Sequence, residues 1–192
     1  NNQQQFCWTT SWGLSTRFIG AIIMVHGDDK GLMMPPRLAP HQVVIVPIHK
    51  NDAEKTPVMQ AVKKIHAELV AADIRVKVDE RDETPGFKFN DWEMRGVPLR
   101  IEVGPKDVAN NTVAMARRDK PGKEGKSFVS QDGIAVTVAE MLKTIQQALY
   151  DRALAFRNAN TLDPKNYEEF KACVDTGFTL SYWCGERECE AQ

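Results

Sequence analysis

The chain has 192 residues, of which 42% are hydrophobic and 27% charged, and its formal net charge is −1. This length suits one domain with a smaller addition, or two small domains, and the near-neutral charge excludes a surface coated with cations for nucleic acid, so that any such contact must be a local patch. No apolar run approaches the ~18–20 residues that a membrane-spanning helix needs.

The first forty residues predict a short strand followed by a proline-rich exit. The opening "NNQQQFCWTTSW" has no basic region, apolar core or cleavage site, so it is not a signal peptide, and it lacks an initiating Met, as though cut from a longer protein. The apolar run from Phe18 to Val25 has the length of a buried strand. Pro35 and Pro36 can continue neither a helix nor a central strand, so we expect the first unit to end there.

Residues 42–79 predict a strand–helix–strand unit. "HQVVIVPI" is a continuous β-branched run, typical of a strand buried on both faces. After Asp52, a good N-cap, apolar residues recur at spacings of four, three and four and predict one core-facing helix stripe that ends near Asp73. That stripe consists of Val58, Val62, Ile65 and Leu69. "IRVKVDER" alternates like a strand, so the unit predicts two parallel strands joined by a right-handed crossover.

The remaining elements complete an α/β unit over about 41–135 and a helical connector after it. In chain order they are a Pro-Gly turn, a short helix over 89–95, a strand over 98–103, a strand within "NTVAMARR", a polar hairpin loop "RRDKPGKEGKSF", a long amphipathic helix from Val138, a helix over Tyr167–Val174, and a turn at Gly177 into a strand. The apolar face of the long helix comprises Val138, Met141, Leu142, Ile145, Leu149 and Phe156.

Four cysteines lie at Cys7, Cys173, Cys184 and Cys189. They predict reduced thiols in a cytosolic protein. The closing pair, Cys184 and Cys189, has the spacing of half a thiolate metal site, but structural zinc takes four ligands. Two free thiols remain the simpler interpretation of this pair.

The segment "TSWGLSTRFIGAIIMVHGDDKGLMMPPR" carries the densest group of candidate ligand-binding residues. Gly13 lets the backbone approach a ligand closely, Ser15 and Thr16 offer hydroxyls, and Arg17 offers a planar cation that can stack on a base or grip phosphate. The alternative is a turn into a buried strand with a surface arginine.

A second candidate is the charged set of Glu93, Arg95, Arg100, Lys106 and Asp107, with Lys88 nearby. The simpler interpretation is a solvated face with weak ion pairs. The sharper one uses guanine, whose pairing edge shows two N–H donors beside a carbonyl acceptor and therefore matches a carboxylate with a cation. Two carboxylates and two cations would suit two unpaired guanines in an RNA loop.

"SWGLSTRFIGAIIMVHGDDKGLMMPPRLAP" followed by "GFKFNDWEMRGVPLRIEVGPKD" resembles the prolyl-tRNA synthetases, in the class II, archaeal and eukaryote-like form without an inserted editing domain. The resemblance runs the length of the chain. It implies an α/β fold: a mixed-sheet anticodon-binding domain with flanking helices over 41–135, preceded over 1–40 by a remnant of the class II antiparallel catalytic sheet. Residues 136–192 would be a helical connector and the truncated start of a C-terminal zinc-type domain.

The resemblance also implies roles for the residues of the first segment. Arg17 matches the motif 3 arginine that packs on the adenine and contacts phosphate of ATP. Ser15 and Thr16 match hydroxyl residues beside the nucleotide, and Trp12 and Gly13 match residues that line the proline pocket.

In the same way, Glu93, Arg100, Lys106 and Asp107 match the positions that read the two guanines of the proline anticodon. His26, Asp28 and Asp29 belong to the family pattern without an assigned role. Cys184 and Cys189 match the first half of a zinc site whose second half would lie beyond Gln192, so zinc is expected in the full-length protein and not in this chain.

The function implied is that of a parent ligase that activates proline with ATP and magnesium and transfers it to tRNA(Pro), as a cytoplasmic homodimer without a membrane segment. Motifs 1 and 2 of class II synthetases are absent, so the 192 residues by themselves are expected to be inactive. Two alternatives remain: a free-standing anticodon-binding-like RNA-binding module without catalysis, and a small redox or metal protein built on the cysteines.

Overall fold

The fold is an α/β arrangement in which helices flank a mixed β-sheet, as the sequence predicts. The computed structural model describes residues 3–4, 6–120 and 122–191, without the side chains of residues 189 and 190. The helices are α1 Arg17–His26, α2 Asp52–Ala71, α3 Pro85–Met94, α4 Pro105–Ala109, α5 Ile134–Ala159, α6 Tyr167–Cys173 and α7 Arg187–Glu190. The strands are β1 Val43–Pro47, β2 Val76–Val78, β3 Leu99–Val103, β4 Thr112–Arg117, β5 Lys126–Ser130, β6 Thr161–Leu162 and β7 Phe178–Thr179, with a 3-10 helix at Gly122–Gly125.

The main sheet has five strands in the order β2-β1-β3-β4-β5. β1 pairs in parallel with β2 and with β3, which confirms the predicted parallel pair. β4 and β5 continue the sheet in antiparallel fashion, so the sheet is mixed. β6 and β7 form a separate two-stranded parallel pair near the C-terminus.

The larger core lies on one face of this sheet, beneath α2 and α5. The predicted stripe of α2 is fully buried there, since each of its four side chains is at most 1% exposed. From β3, Leu99, Ile101 and Val103 point into the same core. Because side chains alternate along a strand, Arg100 and Glu102 lie on the opposite face.

That opposite face has a smaller core under α3. Val44 and Val46 of β1 pack there against Trp92 and Val97, with Phe89 alongside. The strands farther from α3 carry exposed side chains on this face, notably on β5. The sheet therefore has one fully covered face and one that helices cover only in part.

Residues 18–25 are helical, so the predicted strand is wrong, and the described residues do not show the expected remnant of an antiparallel catalytic sheet. The run lies within α1, and no residue of that helix is buried. A run that is apolar at every position has neither the two-residue nor the 3.6-residue period, so it does not distinguish a strand from a helix. Phe18, Ile19 and Met24 are 55%, 62% and 81% exposed, so α1 presents a large apolar surface.

Several boundaries also differ from the predicted ones. Asn51, not Asp52, caps α2, because its side chain accepts a hydrogen bond from the Glu54 backbone N–H at 2.9 Å. α3 begins at Pro85, four residues earlier than predicted, with Thr84 as its N-cap. α4 was not predicted, and β5 replaces the end of the predicted hairpin loop.

The C-terminal region contains short elements. α6 confirms the predicted helix, but it buries no residue, so Cys173 is half-buried and does not lie in the core. The strand predicted after Gly177 is two residues long and ends at Thr179. Among the described residues, no helix combines the length and apolar character needed to cross a membrane.

Candidate nucleic-acid interface

Arg100 is held in one orientation on the partly covered face of the sheet. Its Nε and Nη2 donate to Glu102 Oε1 at 3.2 and 3.1 Å. Its guanidinium carbon also lies 4.1 Å from the centre of the Phe89 ring, a cation–π contact. An arginine fixed between a carboxylate and an aromatic ring loses little further side-chain entropy when it binds a ligand.

Glu102 is the buried anchor of this arrangement. Its residue is 5% exposed, and it accepts from Arg100 with one carboxylate oxygen and from Lys126 Nζ with the other, at 2.7 Å. Burial of a carboxylate is costly unless it is paired, and here two cations compensate it. Glu102 therefore fixes the relative positions of cations from β3 and β5.

Glu93 and Arg100 both line a single concavity of about 180 Å³. Lys30 approaches Glu93 Oε1 at 3.9 Å, and the Glu93 side chain is 29% exposed. The concavity combines a carboxylate with several cations, and its charged lining residues are Lys30, Glu93, Arg100, Arg117, Arg118, Lys120 and Lys126. Ion pairs compensate much of this positive charge, because Glu102 pairs with Arg100 and Lys126, Asp119 with Arg117 and Asp28 with Arg118.

Lys106 and Asp107 lie on α4, immediately beyond the carboxyl end of the strand that carries Arg100. Lys106 is exposed, whereas Asp107 Oδ2 accepts from the Gly104 backbone N–H at 2.9 Å and caps the helix. About 3.3 Å of rise per residue puts Arg100 and Gly104 roughly 13 Å apart along the strand. Glu93 and Arg100 thus line one concavity, whereas Lys106 and Asp107 lie on α4, whose Val108 packs against the larger core on the opposite face of the sheet.

A buried polar network secures α3, which carries Glu93 and Phe89. Asp79 accepts from Trp92 Nε1 at 2.7 Å and from Arg81 Nε and Nη2 at 2.9 and 2.7 Å. The hydrogen bonds from Arg81, above all, lower the pKa of Asp79 to about 2, against the opposing effect of burial. Arg81 also pairs with Asp91 at 2.8 Å, so β2 and α3 are tied together.

The N-terminal segment is attached to the α/β domain through Arg118. This side chain is 3% exposed and donates to both carboxylate oxygens of Asp28, at 3.0 and 2.5 Å. Arg118 also donates to the backbone carbonyls of Gly31 and Glu93, at 3.1 and 2.9 Å. Its hydrogen bonds are the main cause that lowers the pKa of Asp28. Asp28 thus has a structural role, and it positions the α3 end that bears Glu93.

Two glycines let this segment approach α3 closely. Gly31 and Gly96 both have positive φ, at 124° and 75°, and a Cβ on either would meet backbone atoms of the other segment. The backbone N–H groups of Leu32 and Met34 donate to the carbonyls of Met94 and Gly96 at 3.0 and 2.9 Å. Residues 31–34 therefore pack directly against the end of α3.

The residues that the resemblance associates with ATP and proline lie apart, before and at the start of α1. Ser15, Thr16 and Arg17 are exposed, and Trp12 is 96% exposed. A Cβ added to Gly13 would meet nothing within 4 Å. These side chains have the chemistry to contact a nucleotide or an apolar ring, and they are accessible.

His26, at the end of α1, has an unpartnered ring nitrogen. Nδ1 of this half-buried side chain finds no hydrogen-bond partner among the described residues. Burial, followed by the nearby charge of Arg152, lowers the pKa of His26. Asp29 is exposed, and the structure assigns it no role.

The cysteine pair gives no metal centre among the residues that the structure describes. Cys184 is exposed, and its Sγ accepts from the Glu186 backbone N–H at 3.5 Å. The Cys189 side chain lies outside the described residues. Within the described ranges, no three His, Cys, Asp or Glu side chains are grouped to hold a metal ion, so these residues do not supply a zinc ligand set.

Sequence reasoning missed Glu102, Lys126 and Arg118. Glu102 was detectable in principle, because it follows Arg100 by two residues on a predicted strand and therefore shares its face. Lys126 lies in the segment predicted as loop. Arg118 pairs with Asp28 across ninety positions of the chain, and no local pattern signals such a contact.

Comparison with known proteins identifies the family of the domain that carries these residues. The family model described as "Anticodon binding domain" matches residues 42–148. The proline–tRNA ligase of Roseiflexus castenholzii is 58% identical over 191 residues, which cover 99% of this chain and 40% of that protein. The chloroplastic/mitochondrial proline–tRNA ligase of Arabidopsis thaliana is 51% identical over 181 residues, covering 92% and 33%.

The proline–tRNA ligase of Chlorobium limicola is 47% identical over 188 residues, covering 97% of this chain and 38% of that protein. The chain spans about two fifths or less of the length of the curated relatives it matches. Because the family model covers more than half of the chain and takes in the whole five-stranded sheet, the chain belongs to the anticodon-binding-domain family.

Proposed function

We propose that this chain is the C-terminal part of a proline–tRNA ligase, a cytoplasmic homodimeric enzyme that activates proline with ATP and magnesium and transfers it to tRNA(Pro). Identities of 47–58% to proteins of that name support this over nearly the whole chain. The matched region includes residues before the α/β domain, which favours a ligase over a free-standing RNA-binding module.

Within this enzyme, residues 41–135 read the anticodon. Glu93 accepts from the N1–H and 2-amino groups of a guanine, and Arg100 donates to its O6. Lys106 and Asp107 offer the same pairing of cation and carboxylate to the second guanine. The single observation that carries this proposal is Arg100, which Glu102 and Phe89 hold in a concavity that Glu93 also lines.

Residues 1–40 supply motif 3 of the catalytic domain. Arg17 would contact the adenine and phosphate of ATP, Ser15 and Thr16 would lie beside the nucleotide, and Trp12 and Gly13 would line the proline pocket. Bound magnesium would neutralise phosphate charge in the activation step. The apolar surface of α1 fits burial against the rest of such a domain.

Residues 136–192 would comprise most of α5, which packs on the larger core of the α/β domain, and the start of a C-terminal zinc-type domain. Cys184 and Cys189 would contribute to zinc binding in the longer protein. No catalytic step is assigned to zinc.

The test is binding of an RNA hairpin that presents two adjacent guanines in its loop, measured by fluorescence anisotropy. We expect Arg100→Ala to weaken binding by about 1–3 kcal/mol. Arg95→Ala is the matched control, since Arg95 is a neighbouring arginine with a 58% exposed side chain on the end of α3. Equal losses in the two variants, or equal affinity for a hairpin with adenines in place of the guanines, would overturn the proposal.

A further inference from the structure

Phe128 is an exposed aromatic side chain on the same sheet face as Arg100. Cross-strand pairing puts Arg100 opposite Ala116, and Ala116 opposite Lys126. The next row on this face joins Glu102, Ala114 and Phe128. Phe128 is 69% exposed, although it lies on a strand of the main sheet.

The surroundings of Phe128 leave its ring accessible on a flat surface. Its cross-strand neighbour is Ala114, and Ala116 occupies the adjoining row, so small side chains separate β5 from Arg100. β5 is the edge strand of the sheet and has a neighbour on one side only within the described chain. The ring is therefore largely exposed, with Lys126 Nζ over it at 5.9 Å from its centre.

The ammonium group of Lys126, which is paired with Glu102, lies close to the Phe128 ring. Lys126 Nζ lies 5.9 Å from the centre of the Phe128 ring and 2.7 Å from Glu102 Oε2. Glu102 also holds Arg100, so one buried carboxylate links the cation beside Phe128 with the arginine of the proposed guanine site. The aromatic ring, the ammonium group and the arginine form a contiguous surface.

We propose that Phe128 and Lys126 bind one further unpaired nucleotide, directly flanking the two guanines, with its base stacked on Phe128 and its phosphate beside Lys126. This inference rests on the proposed function. Exposed aromatic side chains on an open sheet face are suited to unpaired bases, because every base has a π-face. The stacked base supplies affinity without sequence preference.

The spacing agrees with a neighbouring nucleotide. Arg100 and Phe128 lie two strands and one row apart in the sheet, a separation of about 12 Å. Phe128 is also one row nearer to α4 than Arg100 is, on the side of Lys106 and Asp107. The ring therefore lies to one side of a line from Arg100 to α4, two strands away across the sheet.

The experiment combines Phe128→Ala with abasic RNA. The 192-residue chain is titrated with the two-guanine hairpin and with versions that are abasic at either flanking nucleotide. We expect Phe128→Ala to weaken binding of the intact hairpin by about fivefold to 150-fold. For one of the two abasic hairpins, the unchanged chain should show a similar loss of affinity relative to the intact hairpin. The Phe128→Ala chain should bind that abasic hairpin no more weakly than it binds the intact one. Phe128→Tyr should retain binding, and Phe128→Leu should not.

Phe156→Ala is the matched control, because Phe156 is 65% exposed on α5 and lies outside this face. The inference would be overturned if the affinity losses from Phe128→Ala and from the abasic nucleotide multiplied at both flanking positions. It would also be overturned if the Phe128→Ala and Phe156→Ala chains bound the intact hairpin with equal affinity. If Arg100→Ala still loses guanine recognition in that case, the proposed function stands. A Phe128→Ala chain that changes its sedimentation but not its RNA affinity would assign the ring to a protein contact and equally overturn the inference.

Discussion

Arg118 and Asp28 form a bidentate ion pair in which the arginine is almost fully buried and the aspartate is one-third exposed. The pair joins a segment with catalytic-domain resemblance to the domain proposed to read the anticodon. Because Arg118 also bonds the Glu93 carbonyl, the position of one proposed guanine contact depends on this junction. The hydrogen bonds of Arg118 thus connect the N-terminal segment to the proposed recognition surface.

Asp28→Ala should lower the free energy of unfolding by about 3 kcal/mol, because it leaves the Arg118 charge buried with two carbonyl partners only. Urea unfolding measures the loss. Asp29→Ala is the control, since Asp29 is exposed and adjacent. Similar losses for the two variants would show that the ion pair contributes little.

Asp79 should make stability depend on acid pH. Its pKa is about 2 in the folded chain and 3.8 ordinarily, so the folded state is favoured while this carboxyl is ionised. This contribution, about 2 kcal/mol, is complete above pH 4–5 and is lost as pH falls towards 2. Urea unfolding across this range should show a smaller acid-dependent loss for Asp79→Asn than for the unchanged chain.

The control for that series is Asp82→Asn, an exposed aspartate on the same loop. At pH 7 we expect Asp79→Asn to destabilise the chain by about 2 kcal/mol and Asp82→Asn to have little effect. If the free energy of unfolding of both variants falls with acid pH as much as that of the unchanged chain, the hydrogen-bond network of Asp79 with Trp92 is not the source of this pH dependence.

Glu102→Gln should weaken RNA binding although Glu102 is expected to touch no RNA. Loss of the charge frees Arg100 and Lys126 together, so affinity for the two-guanine hairpin and its preference over adenine should both fall severalfold. Arg100 and Lys126 are partly exposed and can be hydrated, so we expect the free energy of unfolding to fall by only about 1–2 kcal/mol.

Glu124→Gln serves as the comparison for this variant, because Glu124 is exposed in the neighbouring 3-10 helix. A Glu102→Gln chain that loses stability but keeps its guanine-to-adenine ratio would mean that Glu102 supports the fold and does not position the two cations.

The 192 residues alone should not catalyse ATP–pyrophosphate exchange with proline. Ser15, Thr16 and Arg17 are exposed at the start of α1, and adenylate formation requires groups that surround the reacting α-phosphate. A radiolabelled pyrophosphate exchange assay measures this directly. Exchange above background that Arg17→Ala abolishes would contradict the prediction, whereas a signal that survives Arg17→Ala identifies a contaminating ligase.

The sequence predicted helices and strands correctly where the hydrophobic pattern is compatible with only one of the two. The stripe of Val58, Val62, Ile65 and Leu69 has helical spacing and is fully buried, and the β-branched run forms β1, an interior strand of the sheet. By contrast, the apolar run from residue 18 has no period, and its helical state followed from no local pattern.

The site was predictable in part. The charged set and the family resemblance named Glu93, Arg100, Lys106 and Asp107, of which the structure places the first two in one concavity. Glu102 was overlooked because a strand carboxylate normally faces solvent, and its burial depends on cations from two strands. β5 follows a loop rich in glycine and charge, and its pairing with β4 is a tertiary effect.

The most direct test of guanine reading crosses Arg100→Ala with replacement of each loop guanine by 6-thioguanine, which keeps N1–H and the 2-amino group but replaces O6 by a weaker acceptor. If Arg100 donates to O6, both changes act on the same interaction, so for one guanine the loss caused by 6-thioguanine should disappear in Arg100→Ala, which itself should cost about 1–3 kcal/mol in binding free energy. Additive losses at both guanines would contradict the account.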